Sequence, residues 1–176
     1  TSGSRFRPAG PLSVSQQNYK AQVDATLQLS AHLSDRTKAI AEYWADGPGT
    51  ATPAGHWDLF SAFVSAHFIS RKNNNGISAD IKMFFALTNA IFDASIACWD
   101  CKRVYDSARP ITAVHSLYRG QNVTAWAGPG IGTQVIDGGA WRSYLPTPAF
   151  AEYVSGHSTF SATGAYILKK VTGLDF

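Results

Sequence analysis

Apolar residues recur at helical spacing through most of this chain, and Gly- and Pro-rich breaks separate the runs. The first run begins near Ser15 and carries Val23, Leu27 and Leu29; it resumes behind Ser34 with Ile40, Tyr43 and Trp44. Five of the ten residues from Asp46 to Gly55 are Gly or Pro, which predicts no regular structure there. His56-Trp57 opens a second run through Phe60, Phe63, Val64 and His67-Phe68, ending near Lys72 ahead of Asn73.

The longest predicted helix runs from Ser78, a good N-cap, to about Ser107. Its inward stripe reads Phe84, Ile91, Ser95 and Cys98, and the next position on that face is Lys102. A lysine closing a core-facing stripe needs a partner, because an unpaired buried ammonium is costly. Pro110 stops this helix and suits the first position of another, from Ile111 to about Tyr118. Residues 119–150 are Gly- and Pro-rich, hold Trp126 and Trp141, and read as a long functional loop without a convincing strand. The last helix opens at Ser155, shows an apolar face of Phe160, Gly164, Ile167, Leu168 and Val171, and ends at Gly173. The expected class is all-α, with residues 1–14 as an irregular arm and 15–176 as one helical domain.

Composition narrows the classes. The chain has 176 residues, 45% hydrophobic and 15% charged, which suits a globular fold with a sizeable core. A net charge of +3 without a basic run gives no nucleic-acid arm. The apolar stretch from Ile81 to Trp99 carries Lys82, Asn89 and Asp93, so it reads as a buried core helix and no membrane span is expected. The N-terminus shows no signal region, which leaves the compartment open, secreted or periplasmic included. Cys98 and Cys101 lie three apart in the apolar run and read as buried thiols. Trp44, Trp57 and Trp99 read as core, and Asp46 and His56 as braces of the Gly/Pro segment.

Two short motifs carry the chemistry: Lys102 with six residues before Arg109-Pro110, then Ser155-Gly156-His157 at a helix start. Both in this order arise by chance at a frequency on the order of 10⁻⁴. Together they offer two cations, a hydroxyl, unpaired helix-start amides and an imidazole, a donor set suited to a tetrahedral oxyanion. Taken singly, Ser155 is an N-cap, Gly156 eases a turn and His157 is a surface histidine. Lys102 and Arg109 shift that balance, since two cations in apolar surroundings need a counter-charge.

These residues resemble the first two of three signature segments of the vanadium-dependent haloperoxidases, whose superfamily also holds bacterial acid phosphatases and type 2 phosphatidic acid phosphatases. Trp44-Ala-Asp-Gly-Pro-Gly-Thr50, Gly55-His56-Trp57 and the segment from Phe150 to Phe160 are similar to the bacterial haloperoxidase-like branch, although Val154 stands where many members have proline. The resemblance implies a helical bundle of that type, incomplete at its C-terminus. It implies that Lys102, Arg109, Ser155 and the Gly156 amide hold vanadate, or phosphate in its place, with His157 as the acid–base group. Hydrogen peroxide and a halide are then the substrates; on a phosphatase the same pocket takes a phosphate ester. His115 and His56 are possible pocket-lining residues.

The family's third segment, Ser-Arg followed six residues later by the histidine that ligates the metal, is not in this sequence. His32, His56, His67 and His115 have no Ser-Arg at that spacing. The resemblance thus implies a fragment, a second chain supplying the missing part, or a non-catalytic oxyanion-binding module.

Overall fold

The periodic runs fold as helices close to their expected bounds. In the computed structural model, which describes residues 3–69 and 76–175, α1 spans Gln17–Ala31, α2 Asp35–Tyr43, α3 Thr52–Val64, α4 Gly76–Tyr105, α5 Pro110–Tyr118 and α6 Gly156–Thr172. The helix end expected near Lys72 lies outside the described residues. Ser34 starts α2 through a capping box with Thr37, and Ser155 caps α6 by accepting from the Ser158 amide. Gly173 closes α6 at φ +77, a left-handed position that glycine adopts without strain.

Two expectations of secondary structure fail. Helix α3 starts at Thr52, inside the segment predicted to be irregular, because Pro53 falls in its first turn, where a missing N–H costs nothing. The stretch 119–150 holds a hairpin: β1, Asn122–Trp126, pairs antiparallel with β2, Thr133–Asp137, with Val123 opposite Ile136. Gly128, Gly130 and Gly132, all at positive φ, turn the chain between the strands. Glycines that suggested a long loop without strands are the hairpin's turn residues.

The chain forms two compact units, one of residues 1–7, 46–101 and 154–176, the other of 8–45 and 102–153. In the first, Trp57 and Val64 of α3 pack with Met83, Leu87 and Ile91 of α4 and with Phe160 and Leu168 of α6. A β-carbon on Gly164 would stand 2.3 Å from the Trp57 ring, so the indole occupies the space a side chain would need. Arg7 ties the N-terminal arm to Asp100 of α4 through a 2.6 Å ion pair. In the second unit, Val23 and Leu27 of α1, Ala113 and Val114 of α5, Val123 and Ala125 of β1, and Trp141 form the core. There Ser30 accepts from the Trp141 indole at 3.2 Å and from the Trp126 amide at 3.3 Å.

Helix α4 departs from its predicted burial. Ile91, Cys98 and Lys102 of the expected stripe are buried, with Met83, Leu87 and Cys101, while Phe84 and Ser95 are half-buried. The opposite side exposes Ile77, Ile81, Phe85, Phe92 and Ile96 at helical spacing, and Trp99 is 46% exposed rather than core. The stretch is therefore a core helix on one side only; by length and composition alone it is apolar enough to cross a membrane. Cys98 and Cys101 are buried and form no disulfide.

Candidate oxyanion site

The two motifs fall in different units, so each half is described in its own frame. In the second unit Lys102 closes the buried stripe at 4% exposure. Its Nζ donates to the carbonyls of Ala151 (2.8 Å) and Glu152 (3.0 Å). Pro110 forces Arg109 into extended backbone (φ −70, ψ 155), which starts α5 and turns the guanidinium to the same 150–152 segment. Arg109 Nε donates to the Phe150 carbonyl at 2.6 Å and Nη1 to Glu152 Oε2 at 3.0 Å. Both cations also sit over the Phe150 ring, Lys102 Nζ at 5.0 Å and Arg109 Cζ at 4.6 Å from its centroid. Ser107 staples this segment by accepting from the Glu152 and Tyr153 amides.

This geometry supplies partners that the two cations were expected to need. Glu152 neutralises Arg109, and two peptide carbonyls solvate Lys102. Glu152 and Phe150 were missed by sequence reasoning; the signal was an acidic residue three positions before Ser155, close to cations in need of one. One donor is nevertheless left over: Arg109 Nη2 is buried and has no hydrogen-bond partner among the described residues. A buried guanidinium nitrogen without an acceptor is expensive.

In the first unit the Ser155 hydroxyl accepts from the Ser158 amide at 3.2 Å, a capping bond that leaves its own proton available to donate. The first amides of α6 have no intrahelical acceptor, and the helix dipole favours negative charge beside them. A β-carbon on Gly156 would meet the Trp99 ring at 3.7 Å, ordinary contact, so packing alone does not demand glycine there. His157 is half exposed in the first turn of α6, with Nε2 4.0 Å from Asp46 Oδ2. The Asp46 side chain is only 7% exposed, and its two oxygens lie 3.1 and 3.2 Å from Nδ1 of His56. Three residues remote in sequence thus meet in one cluster: Asp46 after α2, His56 in α3 and His157 in α6.

His115 belongs to the second unit. Its Nε2 is 2.9 Å from the Trp141 carbonyl, and it lines an open depression on α5 with Ile111, Thr112, Ser116 and Arg119. Among the described residues no group of three or more His, Cys, Asp or Glu side chains is arranged to hold a metal cation. Cationic and amide donors, which hold an oxyanion, are what the two motifs supply.

Residues 82–176 match the family model of the VCPO second helical-bundle domain, and the chain belongs to that family. Its fold is that of two solved structures of bacterial vanadium-dependent chloroperoxidase. An apo-type structure aligns with a TM-score of 0.82 and 28% identity over 99% of this chain and 37% of that one. A holo-type structure aligns with 0.80 and 31% over 98% and 36%. The chain therefore spans little more than a third of those chloroperoxidases. No curated protein sequence matches it.

Proposed function

We propose that this chain is the oxyanion-binding part of a vanadium-dependent haloperoxidase, holding vanadate through Lys102, Arg109, Ser155 and the Gly156 amide, with His157 as the acid–base group. The observation that carries the reading is the buried, unsatisfied Nη2 of Arg109 in a chain of this family. When bound, vanadate supplies a Lewis-acidic centre that activates peroxide toward halide.

The chain's own residues do the rest. Lys102 and Arg109, both over the Phe150 ring, place fixed positive charge beside the oxyanion. Ser155 donates its hydroxyl proton to an oxygen, and the helix-start amides do the same without any reorganisation. His157, exposed enough to meet a ligand, takes up or releases a proton at the reacting oxygen. Phosphate, of the same shape and charge type, competes for the same donors.

Isothermal calorimetry of the 176-residue chain with vanadate tests the reading. Binding is expected to be weak, because the donors of the family's third segment are not in this sequence. A missing charge-assisted donor set costs about 1.5–3 kcal/mol, or roughly ten- to a hundredfold in affinity. No heat at millimolar vanadate overturns the reading.

A further inference from the structure

We infer that His56 is a positioning residue for the acid–base group: it holds the Asp46 carboxylate so that one oxygen faces Nε2 of His157. The inference rests on the reading of His157 given above.

The carboxylate comes first. Asp46 sits at φ +45, in the left-handed region, where a non-glycine residue is strained by roughly 1–2 kcal/mol and where aspartate is among the tolerated types. Its side chain is almost wholly buried, so the carboxylate must be hydrogen-bonded inside the protein. His56 Nδ1 meets both oxygens at nearly equal distance, 3.1 and 3.2 Å, and so fixes the plane of the carboxylate. An ionised carboxylate only accepts, so Nδ1 of His56 carries the hydrogen whether the ring is neutral or charged. The His56 ring is itself held, buried against Phe60 with centroids 4.7 Å apart.

The effect on His157 follows from distance. At 4.0 Å Asp46 and Nε2 of His157 are beyond direct hydrogen-bond distance, so the carboxylate acts on the ring through its charge and depends on staying where it is. The negative charge beside Nε2 favours the neutral ring's hydrogen on that nitrogen and leaves Nδ1 to exchange a proton with the bound ligand. Without His56 the plane of the carboxylate is no longer fixed, and that preference is lost.

Long-range proton–nitrogen NMR of the histidine-labelled chain, at a pH above the ordinary imidazole range, reads the tautomers directly. In the wild-type chain His56 is expected as the Nδ1–H form and His157 as the Nε2–H form alone. His56→Leu, which removes the donor, and Asp46→Asn, which removes the charge, are each expected to give His157 a second, Nδ1–H population. His56→Asn keeps an N–H close to the place of Nδ1 and restores the single form. An unchanged His157 in His56→Leu, or a His56→Asn that behaves like His56→Leu, overturns the inference. Should His56→Leu not fold, the wild-type His56 ring decides: an Nε2–H form overturns it, an Nδ1–H form that reverts in Asp46→Asn supports it. These spectra contain no vanadate, so a failed vanadate titration removes the functional reading and leaves the tautomer result standing.

Discussion

The indole of Trp57 lies where a β-carbon on residue 164 would be, 2.3 Å from its ring atoms, and this closes α3 onto α6. Glycine inside a helix costs about 1 kcal/mol relative to alanine, so Gly164 is tolerated for the room it gives the ring. Gly164→Ala is expected to destabilise the fold by about 1–3 kcal/mol through overpacking, despite the gain in helix propensity. Gly156→Ala, which meets the Trp99 ring only at 3.7 Å, is expected to leave stability nearly unchanged. Urea midpoints of the two variants check the contrast.

Asp58 of α3 has a buried Oδ1 without a hydrogen-bond partner among the described residues, and burial raises its pKa above the ordinary carboxylate value. A raised acid favours the folded state below the unfolded pKa and loses that contribution as pH rises through the folded one. Asp58→Asn is therefore expected to raise the melting temperature at neutral pH, with the gain vanishing as pH falls below the unfolded carboxylate value of about 3.9. A gain that persists in acid contradicts the assignment to ionisation.

Arg109 uses three sides of a planar fork: Nε on a carbonyl, Nη1 on Glu152, and Nη2 left over. A lysine ammonium cannot reproduce that fork. Arg109→Lys is expected to weaken vanadate binding by roughly ten- to a hundredfold while the helical content stays the same. Calorimetry and far-UV circular dichroism, read together, separate lost binding from lost fold.

The 176-residue polypeptide by itself, mixed with vanadate, peroxide and bromide, is expected to show little halide oxidation, since it contains no Ser-Arg-x5-His segment. Adding a polypeptide that carries such a segment should raise turnover by orders of magnitude, and His157→Ala should remove the gain. A bromide-oxidation assay with and without the added segment decides it. Ordinary enzymatic rates from the short chain alone would require another histidine, His115 or His56, to serve as the ligand.

Helices were legible wherever an apolar period met a recognisable end, as at Ser34, Pro110, Ser155 and Gly173. The hairpin was not, because its Val123 and Ala125 alternate over only five residues and the glycines after them look the same in a turn as in a loop. Which side of α4 faces the core was half legible: Ile91, Cys98 and Lys102 lie on the buried side, but Ile81 and Phe85 are as apolar as Met83 and Leu87. Periodicity cannot rank two apolar faces. At the site, the motifs named the donors; their partners Glu152 and Phe150 come from backbone geometry that no spacing rule encodes. The bond between Asp46 and His56 lay within reach, since both border the same Gly/Pro segment, but its extension to His157 needed the fold.

Neither compact unit is a continuous stretch of chain, and that orders events on the ribosome. The unit of residues 8–45 and 102–153 has all its parts once Tyr153 has emerged, whereas the other waits for 154–176. Synthesis runs at about 5–20 residues per second, so Trp57 spends several seconds outside before Gly164 arrives to receive it. During that interval α3 and the apolar side of α4 have no α6 to close on. The apolar surface of residues 46–101 that α6 covers is thus the part left open longest during synthesis.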